Sequence, residues 1–180
     1  GIVSKKKILN KNNVREGNVV LALPSSGIHS NGFSLVRSVL KKNKIPNKLK
    51  KTLLQPTKIY SKEILKLTER KLINAAAHIT GGGLIENPKR SYGEDLSLVL
   101  DFSTFQINPL FLWIKEKANL DWYELFKTFN CGIGFLIFVD KKDAQEIIND
   151  INKVGYNAFV IGSMVENKSK KNVIFDGWNF

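Results

Sequence analysis

The chain is poor in cysteine, methionine and histidine: one Cys, one Met and two His in 180 residues. The lone Cys131 excludes an internal disulfide framework and a metal cluster built from cysteine alone, and it suits a reducing compartment. No apolar run approaches the roughly 20 residues that a bilayer span needs. The best candidate, Phe135 to Val139, is only strand-sized. Lys5-Lys6-Lys7 is not followed by an apolar segment, so no secretory signal is expected, and the chain is read as cytoplasmic, with no membrane partner. It starts at Gly1 rather than Met, which reads as a fragment or a processed chain. Metal-ligand spacings such as H-x-x-x-H and C-x-x-C are missing, so no metal is assigned to it. The phosphate-binding pattern G-x-x-x-x-G-K-[ST] is missing as well.

Acidic residues are also scarce, 16 against 28 Lys and Arg, for a net charge of +12. A basic field attracts nucleic acid or small anions. The lysines are dispersed, however, from Lys5 through Lys41, Lys50 and Lys51 to Lys170 and Lys171, with no arginine-rich helix among them. They read as a solvated face, and no specific nucleic-acid partner is expected. A non-catalytic basic binding module stays as the alternative class. The hydrophobic fraction of 43% is that of a globular chain able to bury a core.

The stretch that organises the rest runs from Leu23 to Arg37. Val19 to Leu23 reads as a buried strand. Phe33, Val36, Val39 and Leu40 fall at helical spacing, and that helix ends near Lys44 ahead of Pro46. Between strand and helix lie Ser25, Ser26, Gly27, His29, Ser30, Asn31 and Gly32. Such a loop exposes backbone N–H groups beside a helix N-terminus, which is an anion site. The structural alternative is a plain connection with Ser30 or Asn31 as N-cap.

Further along, Asn47 to Leu54 reads as a short helix, and Ile59 to Arg70 as an amphipathic one with Thr57 as a candidate cap. Asn74 to Thr80 reads as a strand that delivers His78 and Thr80 to Gly81-Gly82-Gly83, ahead of a helix halted by Pro88. The three glycines are either a turn or a cradle in which backbone at positive φ meets a phosphate. Strands are expected over Leu96 to Asp101, Phe135 to Val139, Ala158 to Gly162 and Val173 to Phe175. Helices are expected from Pro109, after Asp121, and over Asp140 to Lys153. This order predicts an α+β fold, a three-layer α/β/α domain with a mixed sheet. Three polar, glycine-bearing loops should then gather at one edge: Ser25 to Gly32, His78 to Gly83, and Asn130 to Gly134. His29 and His78, the only histidines, both lie in these loops and are the candidates for proton or phosphate work; either could equally be structural. Cys131 has no adjacent base and reads as a small residue lining the pocket rather than a nucleophile.

Ser25-Ser26-Gly27-Ile28-His29-Ser30-Asn31-Gly32 resembles the S-S-G-x-H-S-N-G segment of the aminoimidazole ribonucleotide synthetase (phosphoribosylformylglycinamidine cyclo-ligase) family. Pro56 to Tyr60, Ala77 to Leu84 and Thr128 to Gly134 match further segments in the family's order. The resemblance covers nearly the whole chain, but only the C-terminal half of the family's two-domain protein. It implies that residues 1–17 are a strand tail and connector from an N-terminal domain and that 18–180 form the C-terminal α/β domain. It implies the fold named above and ATP-dependent closure of the imidazole ring of formylglycinamidine ribonucleotide, giving aminoimidazole ribonucleotide, ADP and phosphate. The implied ligands are that ribonucleotide, ATP and Mg2+, the last two held mainly by the N-terminal domain, and the full-length protein is implied to be a homodimer. The implied substrate and phosphate contacts are Ser25, Ser26, Gly27, Ser30, Asn31, Gly32, Thr80, Gly81, Gly82, Gly83, Asn130 and Gly132, with Pro56-Thr57 as a piece of the site's wall. Formylglycinamidine synthetase, thiamine-monophosphate kinase, selenophosphate synthetase and a hydrogenase-maturation protein resemble the family in fold and are the alternatives within the superfamily.

Overall fold

The computed structural model describes residues 2–103 and 105–177. Six strands, β1 (Val19–Pro24), β2 (Ala75–His78), β3 (Leu96–Asp101), β4 (Ile133–Val139), β5 (Phe159–Glu166) and β6 (Val173–Asp176), form one sheet in the order β2-β4-β1-β5-β3-β6. Every neighbouring pair is antiparallel except β3 and β6, so the sheet is mixed as expected. The helices are α1 (Phe33–Lys42), α2 (Asn47–Leu53), α3 (Ser61–Glu69), α4 (Gly83–Glu86), α5 (Pro109–Ala118), α6 (Trp122–Thr128) and α7 (Ala144–Lys153).

The sheet is covered on both sides because its central strands are apolar on both. Side chains alternate along a strand, so Val20 and Ala22 of β1 and Leu136 and Phe138 of β4 face one layer. There they pack with Val36, Leu49, Leu84, Phe111 and Phe126 from α1, α2, α4, α5 and α6. Leu21 and Leu23, with Ile137 and Val139, face the opposite layer, where Ile64 and Leu67 of α3 meet Ile147 and Ile151 of α7. Arg70, just past α3, bridges to Glu146 and Asp150 of α7 and ties the two helices of this thinner layer. The result is the three-layer α/β/α arrangement.

The helix ends repay attention to capping. Asn108 and Asp121 cap α5 and α6, accepting from Leu110 N and Glu124 N. The expected N-cap at Ser30 or Asn31 is not formed: α1 begins after Gly32, which sits at φ 77 where a side chain is disfavoured. Thr57 does not cap α3 either; Tyr60 holds the N-cap position without a side-chain bond. β5 runs four residues past the expected Gly162, because it pairs with β1 along one part and β3 along the other. Ile2 and Val3 belong to no strand, two 3-10 turns occupy Lys5–Lys7 and Lys11–Asn13, and Gly1 lies outside the described residues.

Candidate functional site

β1 and β2 are both antiparallel to β4, so they point the same way. Pro24 pairs with Ile133 and His78 with Phe135. The C-terminal ends of β1 and β2 and the start of β4 therefore coincide, and the three loops meet at one end of the sheet.

Asn130 ties two of them. Its Oδ1 accepts from Ser25 Oγ (3.0 Å) and Gly132 N (2.8 Å), and its Nδ2 donates to Gly27 O (2.9 Å). Asn130 is 3% exposed, and these bonds set the loop geometry. The Gly81 loop lies alongside: a Cβ on Gly81 would come 3.3 Å from Asn31 Oδ1. A fourth segment joins them, since Ser26 Oγ donates to Pro56 O (2.7 Å) and Ser30 Oγ bonds Thr57 Oγ1 (3.0 Å). Pro56-Thr57 is thus part of the wall around the Ser25–Gly32 loop.

His29 is 4% exposed and left-handed at φ 57. Its Nε2 accepts from Ser26 N (3.2 Å), which places the proton of the neutral ring on Nδ1. Nδ1 has no partner among the described residues. Burial, then His78, then Lys58 push the His29 pKa down to about 4, so the ring is neutral at physiological pH. A buried, unpaired N–H donor is costly, and a ligand acceptor would satisfy it. His78 is exposed at the end of β2, stacked on Phe135 at 5.7 Å and 6.3 Å from the His29 ring; burial lowers its pKa as well.

Tyr60 supports this group from below. Its hydroxyl donates to Pro24 O (2.9 Å), and its ring lies 6.2 Å from His29 and 5.8 Å from His78. It fits because residue 134 is glycine: a Cβ there would stand 1.9 Å from Tyr60 Oη and 2.9 Å from His29 Cε1. Sequence reasoning missed Tyr60, Lys58 and Phe135 as site residues. Lys58 and Tyr60 had a signal only in the Pro56 to Tyr60 match and Phe135 had none beyond its strand; what brings them together is the segment ahead of α3 reaching the loop and the pairing of Phe135 with His78.

Two sequence expectations need correction. In the glycine run the positive φ belongs to Gly83 (φ 56), not Gly82 (φ −95). Gly83 is glycine because its α-carbon packs on backbone, with a Cβ due 2.1 Å from Phe126 O. Its N–H is already used on Thr80 O (2.9 Å), and Thr80 N donates to Asn87 Oδ1 (2.6 Å). The amides of Gly81 and Gly82 donate to nothing among the described residues, so any cradle is narrower than the whole run. The second correction is Cys131, which lines no pocket. It is fully buried at φ 51, with its thiol turned toward the Leu125 and Phe129 carbonyls and its pKa raised by burial. Among the described residues no group of three or more His, Cys, Asp or Glu side chains is placed to hold a metal ion.

A mixed sheet between helical layers in this arrangement defines a class of domain seen in solved structures. E. coli HypE aligns at TM-score 0.65 and 18% identity over 93% of this chain and 49% of its own. T. maritima PurL complexed with AMPPCP aligns at TM-score 0.55 and 13% identity over 92% and 24%. At those identities the likeness is one of fold. Sequence narrows it: the chain belongs to the family described as AIR synthase related protein, C-terminal domain, which matches residues 15–174. The phosphoribosylformylglycinamidine cyclo-ligase of Clostridium kluyveri is 43% identical over 165 residues, 90% of this chain and 50% of the relative. That of Alkaliphilus oremlandii is 40% identical over 176 residues, 92% and 52%. The chain spans about half the length of the curated relatives it matches.

Proposed function

We propose that the chain is the C-terminal half of a phosphoribosylformylglycinamidine cyclo-ligase, carrying the ribonucleotide side of the ring-closing site. The observation that carries this reading is the alignment of two cyclo-ligases at 40–43% identity over 90% or more of the chain. The convergence of the matched loops at one sheet end supports it. HypE and PurL share the fold at 18% and 13% identity, which favours none of the superfamily alternatives.

In this reading the loops Ser25–Gly32 and Gly81–Gly82 offer backbone N–H groups to the ribonucleotide phosphate. His29 presents its unpaired Nδ1–H to a ligand oxygen, and exposed His78 is the group free to take or give a proton. Residues 2–17 connect to the preceding half of the enzyme. That half holds ATP and Mg2+ for the most part, and the assembled enzyme is a cytoplasmic homodimer. No helix among the described residues is long and apolar enough to cross a membrane.

Ring closure depends on reacting atoms held against one another, where a misplacement of about 1 Å costs roughly a hundredfold. The 180-residue chain alone should therefore bind phosphate or a ribonucleotide weakly and turn over no ATP. Co-expression with the N-terminal half of the C. kluyveri relative should restore ATP-dependent ring closure. Robust closure by the chain alone, or none from the pair once they co-purify, would overturn the reading.

A further inference from the structure

Charge is unevenly shared along the chain. Between Glu16 and Glu63 there is no Asp or Glu, yet there are nine Lys and Arg residues. Seven of the nine stand where α1 turns into α2. Arg37, Lys41 and Lys42 are exposed on α1, Lys44 is exposed in the connection, and Lys48, Lys50 and Lys51 are exposed on α2. None of them lies within ion-pair distance of a carboxylate among the described residues. Both helices pack on α5, whose single acid, Glu116, is engaged by Lys117 (2.6 Å). Cations are favoured in the last turn of a helix, which accounts for Lys41, Lys42, Lys50 and Lys51. It does not account for Arg37, Lys44 and Lys48, nor for a surround without free acid. Like charges held together repel, so this corner carries a standing cost that an anionic partner would relieve.

We propose that the α1–α2 corner is a docking surface for duplex DNA, which it grips by the phosphate backbone without reading sequence. The chemistry of the corner selects this partner. Lysines are point charges, suited to phosphate contacts and not to bidentate recognition of bases. Ser34 and Ser38, exposed beside Arg37 on α1, add hydroxyl donors of the kind that bond phosphate. No aromatic residue stands between Phe33 and Tyr60, so the corner lacks the stacking platform that a single-strand site uses. An exposed helix suits the major groove of B-form DNA, about 12 Å wide, whereas the A-form groove of duplex RNA is too narrow for it. The inference is independent of the ribonucleotide reading above.

The test is fluorescence anisotropy of a short labelled DNA duplex titrated with the 180-residue chain across salt concentrations. With about five of the cations on phosphates, log K should fall against log salt with a slope of about −4.5, and Kd should be about 10 μM at ~0.1 M salt. Lys48→Gln/Lys50→Gln/Lys51→Gln should flatten that slope by about two and weaken binding about a hundredfold at the same salt, with the urea midpoint unchanged. Lys41→Gln/Lys42→Gln should act in the same direction, which separates lost contacts from a folding defect in either helix. Lys168→Gln/Lys170→Gln/Lys171→Gln removes as much charge from the turn between β5 and β6 and should leave affinity within about threefold. Equal losses in the two triple variants would reduce the effect to net charge and overturn the corner. Tighter binding of single-stranded DNA or of duplex RNA would overturn the choice of partner. No binding of the duplex by the parent chain at low salt would overturn the proposal outright.

Discussion

Strands β1, β2 and β4 share two ends, and the two are built on different terms. At the end away from the loops, Asn18, Asn74 and Asp140 form a closed set. Asn18 Oδ1 accepts from Arg15 N (2.9 Å) and Asn74 Nδ2 (3.1 Å), while Asn18 Nδ2 and Asn74 Nδ2 both donate to Asp140 Oδ1 (2.9 Å each). The side-chain amides of Asn18 and Asn74 are thus all engaged, although Asn167 Oδ1, which shares a pocket with Arg15 at the same end, is buried without a partner among the described residues. At the loop end the framework is equally well tied through Asn130 and Tyr60, yet His29 Nδ1 is left open and His78 faces solvent. Polar residues in a strand-end cluster are therefore not by themselves evidence of function. What sets the loop end apart is that its open atom is a donor on a well-braced histidine beside a second, exposed histidine.

The largest change should come from breaking the brace. Gly134→Ala would set a methyl 1.9 Å from Tyr60 Oη and displace either Tyr60 or β4. We expect a loss of about 3 kcal/mol, at the upper end for overpacking, read as a lower urea midpoint, together with loss of ribonucleotide binding. An unchanged midpoint would mean that Tyr60 moves aside freely.

Acid should separate the two ends nearly as strongly. The His29 pKa of about 4 lies below its unfolded value of 6.5, so unfolding takes up a proton between those values. The stability tied to the neutral ring is complete above pH 6.5, declines as pH falls toward 4, and is flat below. The span corresponds to about 3 kcal/mol, and the lowered His78 pKa adds a slope of the same sign. Denaturant midpoints from pH 7 to 4 should show a shallower decline in His29→Gln than in the parent. Parallel profiles would place the His29 ring in water.

Asn18→Ala, at the closed end, should cost about 2 kcal/mol by leaving Asp140 and the Arg15 amide short of partners, with ribonucleotide affinity unaltered. A fall in affinity would couple the two ends and blur the distinction. The smallest effect is expected of Cys131→Ala: about 1 kcal/mol for a small lost volume, with ribonucleotide affinity unchanged. The native thiol should also resist iodoacetamide until the chain unfolds, given its burial and raised pKa.

The elements were legible in the sequence where one period dominated. Val19 to Leu23, Leu96 to Asp101 and the amphipathic α3 and α7 stand where their apolar spacing puts them. The three-layer scheme followed from the order of strands and helices, and the structure shows β1 and β4 apolar on both faces beneath the two helical layers. What the sequence withheld were features that exist only between elements. No local signal tells that β1 lies between β4 and β5, or that Tyr60 reaches under Pro24. The glycine run illustrates the limit: three identical residues look alike in sequence, and only the structure shows that a Cβ on Gly83 would meet the Phe126 carbonyl, one on Gly82 the Glu86 side chain, and one on Gly81 nothing nearer than Asn31 Oδ1 at 3.3 Å.

The position of β1 also sets an order of events during synthesis. Within this sheet it is the first strand along the chain and an inner one, with Val19 opposite Val139 on one side and Ser163 on the other. Both neighbours leave the ribosome long after it does, so Leu21 and Leu23 emerge with nothing to pair against. Contacts so distant along the chain form slowly and leave apolar segments open to misassociation meanwhile. The nascent chain should thus stay protease-sensitive through α6 and gain protection in one step once β4 and β5 are out. Limited proteolysis of chains stalled at successive lengths would reveal that step, and gradual protection before residue 133 would contradict it.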